Sequence, residues 1–422
     1  MESDSTTISS DATLFTGEAW FDPIEAGLRG RVRDFIEDLI EHELAAALGR
    51  GRYERRSAEA VPTVEPDQIA PPLAGHRHGH RSRRIMGSFG AVEIAVPRAR
   101  MVIPEKGVTA EWRSAALPRY ARRTRQVEAL IAGAYLAGTN TRRVRRALAA
   151  LFAGSVSKDI VSRTWRKVKT DWDAWCRRSL AEEDIVRLIL DGTVVRVRLD
   201  RKATSISLLV VLGVRRDGQK VLLSVRDLSG ESEAAWRSVL DDLVARGLQT
   251  PEFLIVDGAA GLEKALAALW PTVPTQRCTV HKHRNLLAHA PKRLHEELSA
   301  DYTDMIYAET AAEVARRRKA FLAKWRLKCR GVADSLEEAG DQLFAFTRLP
   351  PSQWKSARTS NAIERLHEEF KRRIKTQTVL PSAETAAMLF WALLASGQIT
   401  MRKVNGWQTL AQPVDQPIDL AA

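Results

Sequence analysis

Three acids stand in surroundings that argue against an acid. Asp191 follows the apolar run Leu188-Ile189-Leu190 in LILDGTVVRVRL, Asp257 ends a second run in FLIVDGAAG, and Glu364 lies in the basic segment SARTSNAIERLHEEFKRRIK. Burying an unpaired carboxylate is costly, so an acid set in a core strand points to a cationic partner. Converging carboxylates are what two-metal phosphoryl transfer needs. Hard oxygen ligands bridge two Mg²⁺ (or Mn²⁺) ions about 3.5–4 Å apart; one ion activates the attacking water or 3′-hydroxyl and the other stabilises the leaving oxygen. Asp191, Asp257 and Glu364 are therefore the candidate catalytic and metal-ligating residues. Asp191 and Asp257 each precede a glycine, which permits close approach of backbone or substrate. The rival acids are Asp200, Asp217 and Asp227 at strand ends or turns, with Glu368 and Glu369 as alternates to Glu364.

The elements that must position these acids are legible in the periodicity. VRLILDGTVVRVRL, TSISLLVVLGVR and KVLLSVRD read as three strands. Arg216-Asp217-Gly218-Gln219 between the last two is a hairpin signal. A helix ESEAAWRSVLDDLVARG, a strand EFLIVDG, a helix AAGLEKALAALW and a short strand TVPTQRCTV follow. Three antiparallel strands, a helix, a strand, a helix and a strand make the order of a ribonuclease-H-like α/β domain. In that order the first and fourth strands are neighbours, which brings Asp191 and Asp257 together. On the segment carrying Glu364, Ile363, Leu366, Phe370 and Ile374 form an apolar stripe at helical spacing. Glu364 borders this stripe, partly sheltered, with Thr359 or Ser360 as the helix cap. Glu368, Lys371, Arg372 and Lys375 lie on its side, and the cations Lys371 and Arg372 are candidate phosphate contacts.

The N-terminal half is basic. RGRVRDFIEDLIEHELAAAL predicts a packing or dimerising helix from Arg29 to Leu48 with Val32, Phe35, Ile36, Leu39, Ile40, Leu44 and Leu48 on one stripe. Residues 57–75 read as a linker. His76, His78 and His80 are an incomplete metal set. With Arg77, Arg81, Arg83 and Arg84 interleaved they read instead as a basic ribbon, whose strand GAVEIAVPRAR stops at Pro97. From residue 118 to 180 the pattern is helical. Thr139 or Thr141 caps one helix and Ser155 or Ser157 the next, an outline of helix-turn-helix type. Between Thr141 and Thr170 stand nine cations, Arg142, Arg143, Arg145, Arg146, Lys158, Arg163, Arg166, Lys167 and Lys169, against the single acid Asp159. That imbalance marks a candidate DNA-binding face, with base contacts expected near the start of the second helix.

The whole chain carries a formal charge of +13 over 422 residues, which suits a polyanionic partner, nucleic acid before membrane. No apolar run reaches 18 residues, the start of the chain lacks the pattern of a secretory signal, and three scattered cysteines suit a reducing cytoplasm. The expected organisation is an N-terminal helix and linker (1–74), a basic ribbon and helical DNA-binding region (75–180), and a catalytic core in two parts (181–289 and 351–410). An all-helical insertion (290–350) interrupts the core, and a tail (411–422) follows it.

Taken in order, HRSRRIMGSFGAVEIAVPRAR, TNTRRVRRAL, VSKDIVSRTW, LDGTVVRVR, LLVVLGVRRDGQKVLL, LIVDGAAGLEKAL, QRCTVHKHRNLL and RTSNAIERLHEEFKRR resemble the transposases of the insertion sequence 256 family, relatives of the eukaryotic Mutator transposases. The resemblance covers roughly residues 75–410. It implies a DDE transposase in which Asp191, Asp257 and Glu364 bind two Mg²⁺ ions. Such an enzyme acts on the terminal inverted repeats of its own element and on target DNA, as a homodimer or larger assembly, in the bacterial cytoplasm. One strand is hydrolysed to expose a 3′-hydroxyl, which then attacks directly, with no covalent protein–DNA intermediate. The resemblance also implies that the pair Cys278 and His281 lies close to the active site; from the residues alone Cys278 reads as buried and His281 as a helix cap. Zinc at this pair lacks two ligands. The 107 positions from Asp257 to Glu364 exceed what a compact domain needs, and the excess reads as the family's helical insertion. Trp325 within it is either a base-stacking residue or a core tryptophan. The family usually has asparagine where His367 stands and an aromatic where Thr279 stands. Two other functions fit the same residues: a DNA-binding regulator with dead chemistry, and a structure-selective nuclease of the same fold.

Overall fold

The computed structural model describes residues 23–54, 75–103, 108–136, 141–148, 152, 156–199, 202–228, 230–375, 380 and 382–412. They form two compact units, one within Met1–Tyr135 and Thr141–Trp165, the other within Leu136–Asn140 and Arg166–Ala422. Most of the expected linker, the candidate caps Thr139 and Ser155, and the side chains of Arg142, Arg143 and Lys158 lie outside the described residues.

In the first unit, α1 (Pro23–Leu48) includes the expected Arg29–Leu48 and is helical from the first described residue. Ile40, Leu44 and Leu48 are buried against a sheet of β1 (Gly75–Gly87), β2 (Gly90–Ile103) and β3 (Val108–Glu111). The predicted stripe is buried only in part: Phe35 is 67% exposed and Leu39 45%. β2 does not stop at Pro97. The β1–β2 register shifts between Arg77 and His80, opposite Ala99 and Pro97, so the missing N–H falls at an irregularity of the ladder. Arg77 pairs with Glu41, and Arg83 donates to the Pro118 carbonyl at 3.1 Å. Two ribbon arginines thus hold the fold, while Arg81 and Arg84 are exposed.

α2 (Arg125–Leu136), α3 (Thr141–Ala147) and α4 (Lys158–Arg177) follow. Val127, Ile131, Val144, Phe152, Val156, Ile160 and Val161 share one buried cluster. Ser157 caps α4, accepting from the Ile160 N–H at 3.3 Å. The described part of α3 ends at Ala147 and α4 starts at Lys158. Arg145, Arg146, Arg163, Arg166 and Lys167 are exposed.

The second unit holds a five-stranded sheet of β4 (Ile185–Leu199), β5 (Lys202–Arg215), β6 (Lys220–Leu228), β7 (Phe253–Val256) and β8 (Thr275–Arg277), in the order β6-β5-β4-β7-β8. β4, β5 and β6 are antiparallel; β7 runs parallel to β4 and β8 parallel to β7. The β5–β6 turn uses Gly218 at φ 84°, with Asp217 accepting from the Gln219 N–H at 2.8 Å. α5 (Glu233–Ala245) and α6 (Ala260–Leu269) bury Trp236, Leu240, Leu262 and Leu266 against Leu188 and Leu190 of β4. Side chains alternate along a strand, so Ile189, Asp191 and Thr193 point to the opposite face. There α12 (Asn361–Ile374) lies against β4 and α13 (Glu384–Ala395) against β6.

Between β8 and α12 the chain is helical. α7 (Thr279–His289), α8 (His295–Ile306), α9 (Ala311–Lys328) and α10 (Arg330–Ala339) lead through a 3₁₀ segment, Gly340–Arg348, to the short α11 (Trp354–Ala357). Buried Gln276 of β8 ties this segment down, donating to the Leu343 carbonyl and accepting from the Phe346 N–H, both at 2.7 Å. Trp325 is fully buried, stacks obliquely on Phe321, and donates to Asp301 at 2.9 Å. It is a core residue and has no face to offer a DNA base.

Candidate active site

The parallel pairing of β4 and β7 sets the site. Leu190 stands opposite Val256, so Asp191 and Asp257 are the next residues along neighbouring strands, at one level. β7 ends there and β4 continues. Asp257 accepts from the Ala259 N–H at 2.9 Å, and Gly258 takes φ 97° to turn the chain into α6. Glu364 enters from α12, whose Ile363, Leu366, Phe370 and Ile374 are all buried as the stripe predicts. His367, one turn further along α12, sets Nδ1 3.6 Å from Asp191 Oδ2.

Cys278 links α7 to α12. Its N–H donates to the Val256 carbonyl at 2.7 Å, at the very end of β7, and its buried Sγ accepts from the Ser360 N–H at 3.4 Å. Ser360 sits at the cap position of α12, yet its hydroxyl makes no cap bond; its backbone N–H instead serves Cys278. His281 is not a cap either. It lies inside the first turn of α7, with Nε2 3.3 Å from Glu364 Oε1, and Arg284 stands 3.8 Å from the same oxygen. Among the described residues one trio brings three ligand-type atoms within 4.8 Å of one another, Cys278, His281 and Glu364. The fold thus supplies a third donor beside the Cys-x-x-His pair.

Electrostatics separate these groups. Burial, then the charges of Asp257, Glu364 and Glu231 against the relief from His281, push Asp191 up to about 8. His281 is raised to about 9, first by its hydrogen bond to Cys278 and then by Glu364 and Asp191, against the cost of burial. Cys278 is lowered: burial opposes ionisation, but hydrogen bonds from His281 and Ser360 outweigh it. His367 drops to about 3 through burial and the nearby Lys371 charge. At neutral pH it is uncharged, so its contact with Asp191 is not an ion pair.

A model of the family described as "Transposase, Mutator family" matches residues 9–401. This chain belongs to the Mutator family of transposases. It is 29% identical over 367 residues to the transposase for insertion sequence element ISRM5 of Rhizobium meliloti (strain 1021), covering 87% of this chain and 86% of that protein. It is 27% identical to the transposase for IS905 of Lactococcus lactis subsp. lactis (strain IL1403), covering 86% of each. It is 28% identical to the transposase for IS256 in transposon Tn4001 of Staphylococcus aureus, covering 75% of this chain and 80% of that protein.

Several neighbours of the acids in this Mutator-family transposase escape a reading by sequence motif. His367 reads as one more polar residue on a charged helix; only the crossing of α12 over β4 brings it to Asp191. Glu231 lies far along the chain at the start of α5, yet a Cβ on Gly192 would sit 2.1 Å from its Oε1. The one local signal was the glycine after Asp191. The rival Asp227 ends β6, and its carboxyl is raised by burial alone. Of the two α12 cations expected at phosphate, Arg372 is ion-paired with Glu369 at 2.7 Å, and Lys371 lines a groove with Arg196, Arg198 and Lys375.

Among the described residues no helix is long and apolar enough to cross a membrane.

Proposed function

We propose that this chain is a DDE transposase. It binds the terminal repeats of its own element, hydrolyses one strand to expose a 3′-hydroxyl, and joins that end to target DNA. Asp191, Asp257 and Glu364 hold two Mg²⁺ or Mn²⁺ ions. The observation that carries the reading is the emergence of Asp191 and Asp257 at one level from adjacent parallel strands, with Glu364 entering from α12. The sheet order, helices on both faces and the helical segment between β8 and α12 support a ribonuclease-H-like catalytic domain.

The donor set suits hard cations, which prefer carboxylate oxygen. The Asp191 side chain is 7% exposed, and among the described residues no hydrogen bond reaches its carboxylate. Glu364 Oε1 is buried without a hydrogen bond, although His281 and Arg284 lie near it. A divalent ion would compensate the buried Asp191 carboxylate once it ionises. Two such ions, held by Asp191, Asp257 and Glu364, would supply Lewis acidity for an attacking water or hydroxyl and for the leaving oxygen. The protein's part is to hold the ligands still. Cys278 fixes α7 to Ser360 at the head of α12, and His281 with Arg284 orients Glu364 from that platform.

Exposed cations of α3 and α4 support duplex binding by the first unit and the start of the second. Arg196, Arg198, Lys371 and Lys375 line a groove of about 500 Å³ together with Val195, Val197, Ile374 and Leu380. Among the described residues none of the four is paired with an acid, so each is available to phosphate. The double substitution Arg196→Glu with Arg198→Glu is expected to weaken binding to DNA ends. The log–log salt slope should shallow by about two, since each lost phosphate contact removes about 0.9. Filter binding at several salt concentrations measures this, and an unchanged slope removes the groove from the DNA path.

The test of the whole reading is a cleavage and joining assay with Mg²⁺ and duplexes carrying the element's ends. Nicked products bearing a 3′-hydroxyl, followed by joined products, are expected. Binding with no cleavage by the wild type would instead favour a DNA-binding regulator; cleavage of branched DNA without joining would favour a nuclease.

A further inference from the structure

Two glycines make room for a single glutamate. The carboxylate of Glu231 occupies the space where a side chain at 192 would begin: Oε1 lies 2.1 Å, and Cδ 2.3 Å, from an ideal Cβ on Gly192. Its backbone is seated by the second glycine, since a Cβ on Gly261 would meet the Glu231 carbonyl oxygen at 2.4 Å and the Glu233 nitrogen at 2.9 Å. Both glycines follow an active-site acid, Gly192 directly after Asp191 and Gly261 four residues after Asp257. Ser232 then caps α5, accepting from the Ala235 N–H at 3.2 Å, so the residue before it has a settled backbone.

Glu231 is half-buried, and among the described residues no cation or hydrogen-bond donor meets its carboxylate. It faces acids instead: its charge acts on Asp191 and it feels the charge of Asp257. A carboxylate near other acids with no cation or donor of its own is destabilising, and Gly192 and Gly261 leave it that place. The cluster also contains a group that itself calls for a cation, the nearly buried and unbonded Asp191 side chain. Asp191 projects to one face of β4 and Gly192 is open to the other. The Glu231 carboxylate occupies the Gly192 side of the strand, a place that only a residue without a Cβ leaves open.

We infer that Glu231 is a fourth carboxylate ligand of the divalent-metal site, admitted to it by Gly192 and Gly261. The inference rests on the proposed metal-dependent function and adds a ligand outside the three acids. It makes Glu231, delivered by the junction of β6 and α5, a support for the ion held between Asp191 and Asp257.

The test uses the full chain and Mn²⁺ alone, followed by calorimetric titration and by the loss of the free Mn²⁺ paramagnetic resonance signal. Wild type, Glu231→Gln, Glu231→Asp, Gly192→Ala, Asp191→Asn and the exposed neighbour Glu233→Gln are compared, each first checked for a cooperative melt without metal. Glu231→Gln is expected to weaken Mn²⁺ binding at least about tenfold or to lose one ion. Gly192→Ala should act in the same direction by displacing the carboxylate, Glu231→Asp should recover part of the loss, and Glu233→Gln should match the wild type. Unaltered Mn²⁺ binding by Glu231→Gln, with binding lost in Asp191→Asn, overturns the inference and leaves the three-acid site standing. Unaltered binding in both variants overturns the metal site itself.

Discussion

Asp191→Asn, Asp257→Asn and Glu364→Gln are each expected to reduce strand cleavage on the order of 10³-fold, while affinity for the element's ends stays within about threefold. The three side chains come from β4, the end of β7 and α12, and in the proposed function they act as one ligand set. Losses in such a set are not additive, so a double variant should be little worse than a single one. Each substitution keeps the shape of the side chain and removes one charge, which limits damage to the fold. Asp227→Asn serves as the contrast: it ends β6, and its raised pKa comes from burial alone, not from the cluster. Gel analysis of end-labelled duplex gives the rates, and gel shift without divalent ion gives the affinities. A variant of any of the three acids that cleaves at the wild-type rate would remove that residue from the set.

Removing the Asp191 charge should also stabilise the metal-free protein at alkaline pH. The folded state holds this carboxyl at about 8, against an ordinary value of 3.8. Below pH about 4 both folded and unfolded chains carry the proton and the group makes no difference. From about 4 to about 8 the unfolded chain has released it and the folded chain has not, so stability falls as pH rises; above about 8 the loss is complete. At roughly 1.4 kcal/mol per unit of pKa, the loss is on the order of a few kcal/mol, shared with the neighbouring acids. His281 adds to the fall in its own window. Raised from 6.5 to about 9, it contributes stability that is full below about 6.5 and gone above about 9. Urea unfolding in EDTA at pH 5, 7 and 9 reads these contributions. Asp191→Asn should flatten the lower part of the curve and exceed the wild type at pH 8, and Mg²⁺ should narrow the gap by binding the ionised wild-type site. Identical pH curves for the two proteins would show that Asp191 ionises normally.

Such a gain in stability from an inactivating change is a mark of a site built for charge, because repulsion tolerated among acids is relieved only by their ligand.

Much of this site was legible in the order of residues because its signals are local. Apolar, β-branched runs around Leu188–Val197 and Phe253–Val256 read as strands, and an acid within or at the end of each stands out. The 3.6-residue stripe of Ile363, Leu366, Phe370 and Ile374 sets which face of α12 is buried, and hence that Glu364 borders it. Asp217-Gly218 names its turn, because a glycine there accepts a positive φ. Where local signals met a tertiary condition, they failed. Pro97 reads as a strand end, but the irregularity in β1 opposite it tolerates a missing N–H. Phe35 and Leu39 belong to the helical stripe of α1, yet they stay exposed while Ile40, Leu44 and Leu48 are buried.

The chain by itself therefore determined which acids sit in apolar strands, which helix carries the third, and which segments are basic, since those depend on residue type and short-range period. Only the tertiary structure decided what surrounds them. The parallel register of β4 with β7 puts Asp191 and Asp257 at one level. The crossing of α12 puts neutral His367 beside Asp191. Cys278 binds the N–H of a residue 82 positions away, so that His281 meets Glu364. The Glu231 carboxylate lies against Gly192, and its backbone against Gly261. Each of these is a contact between distant segments, and no spacing along the chain encodes a distance across the fold.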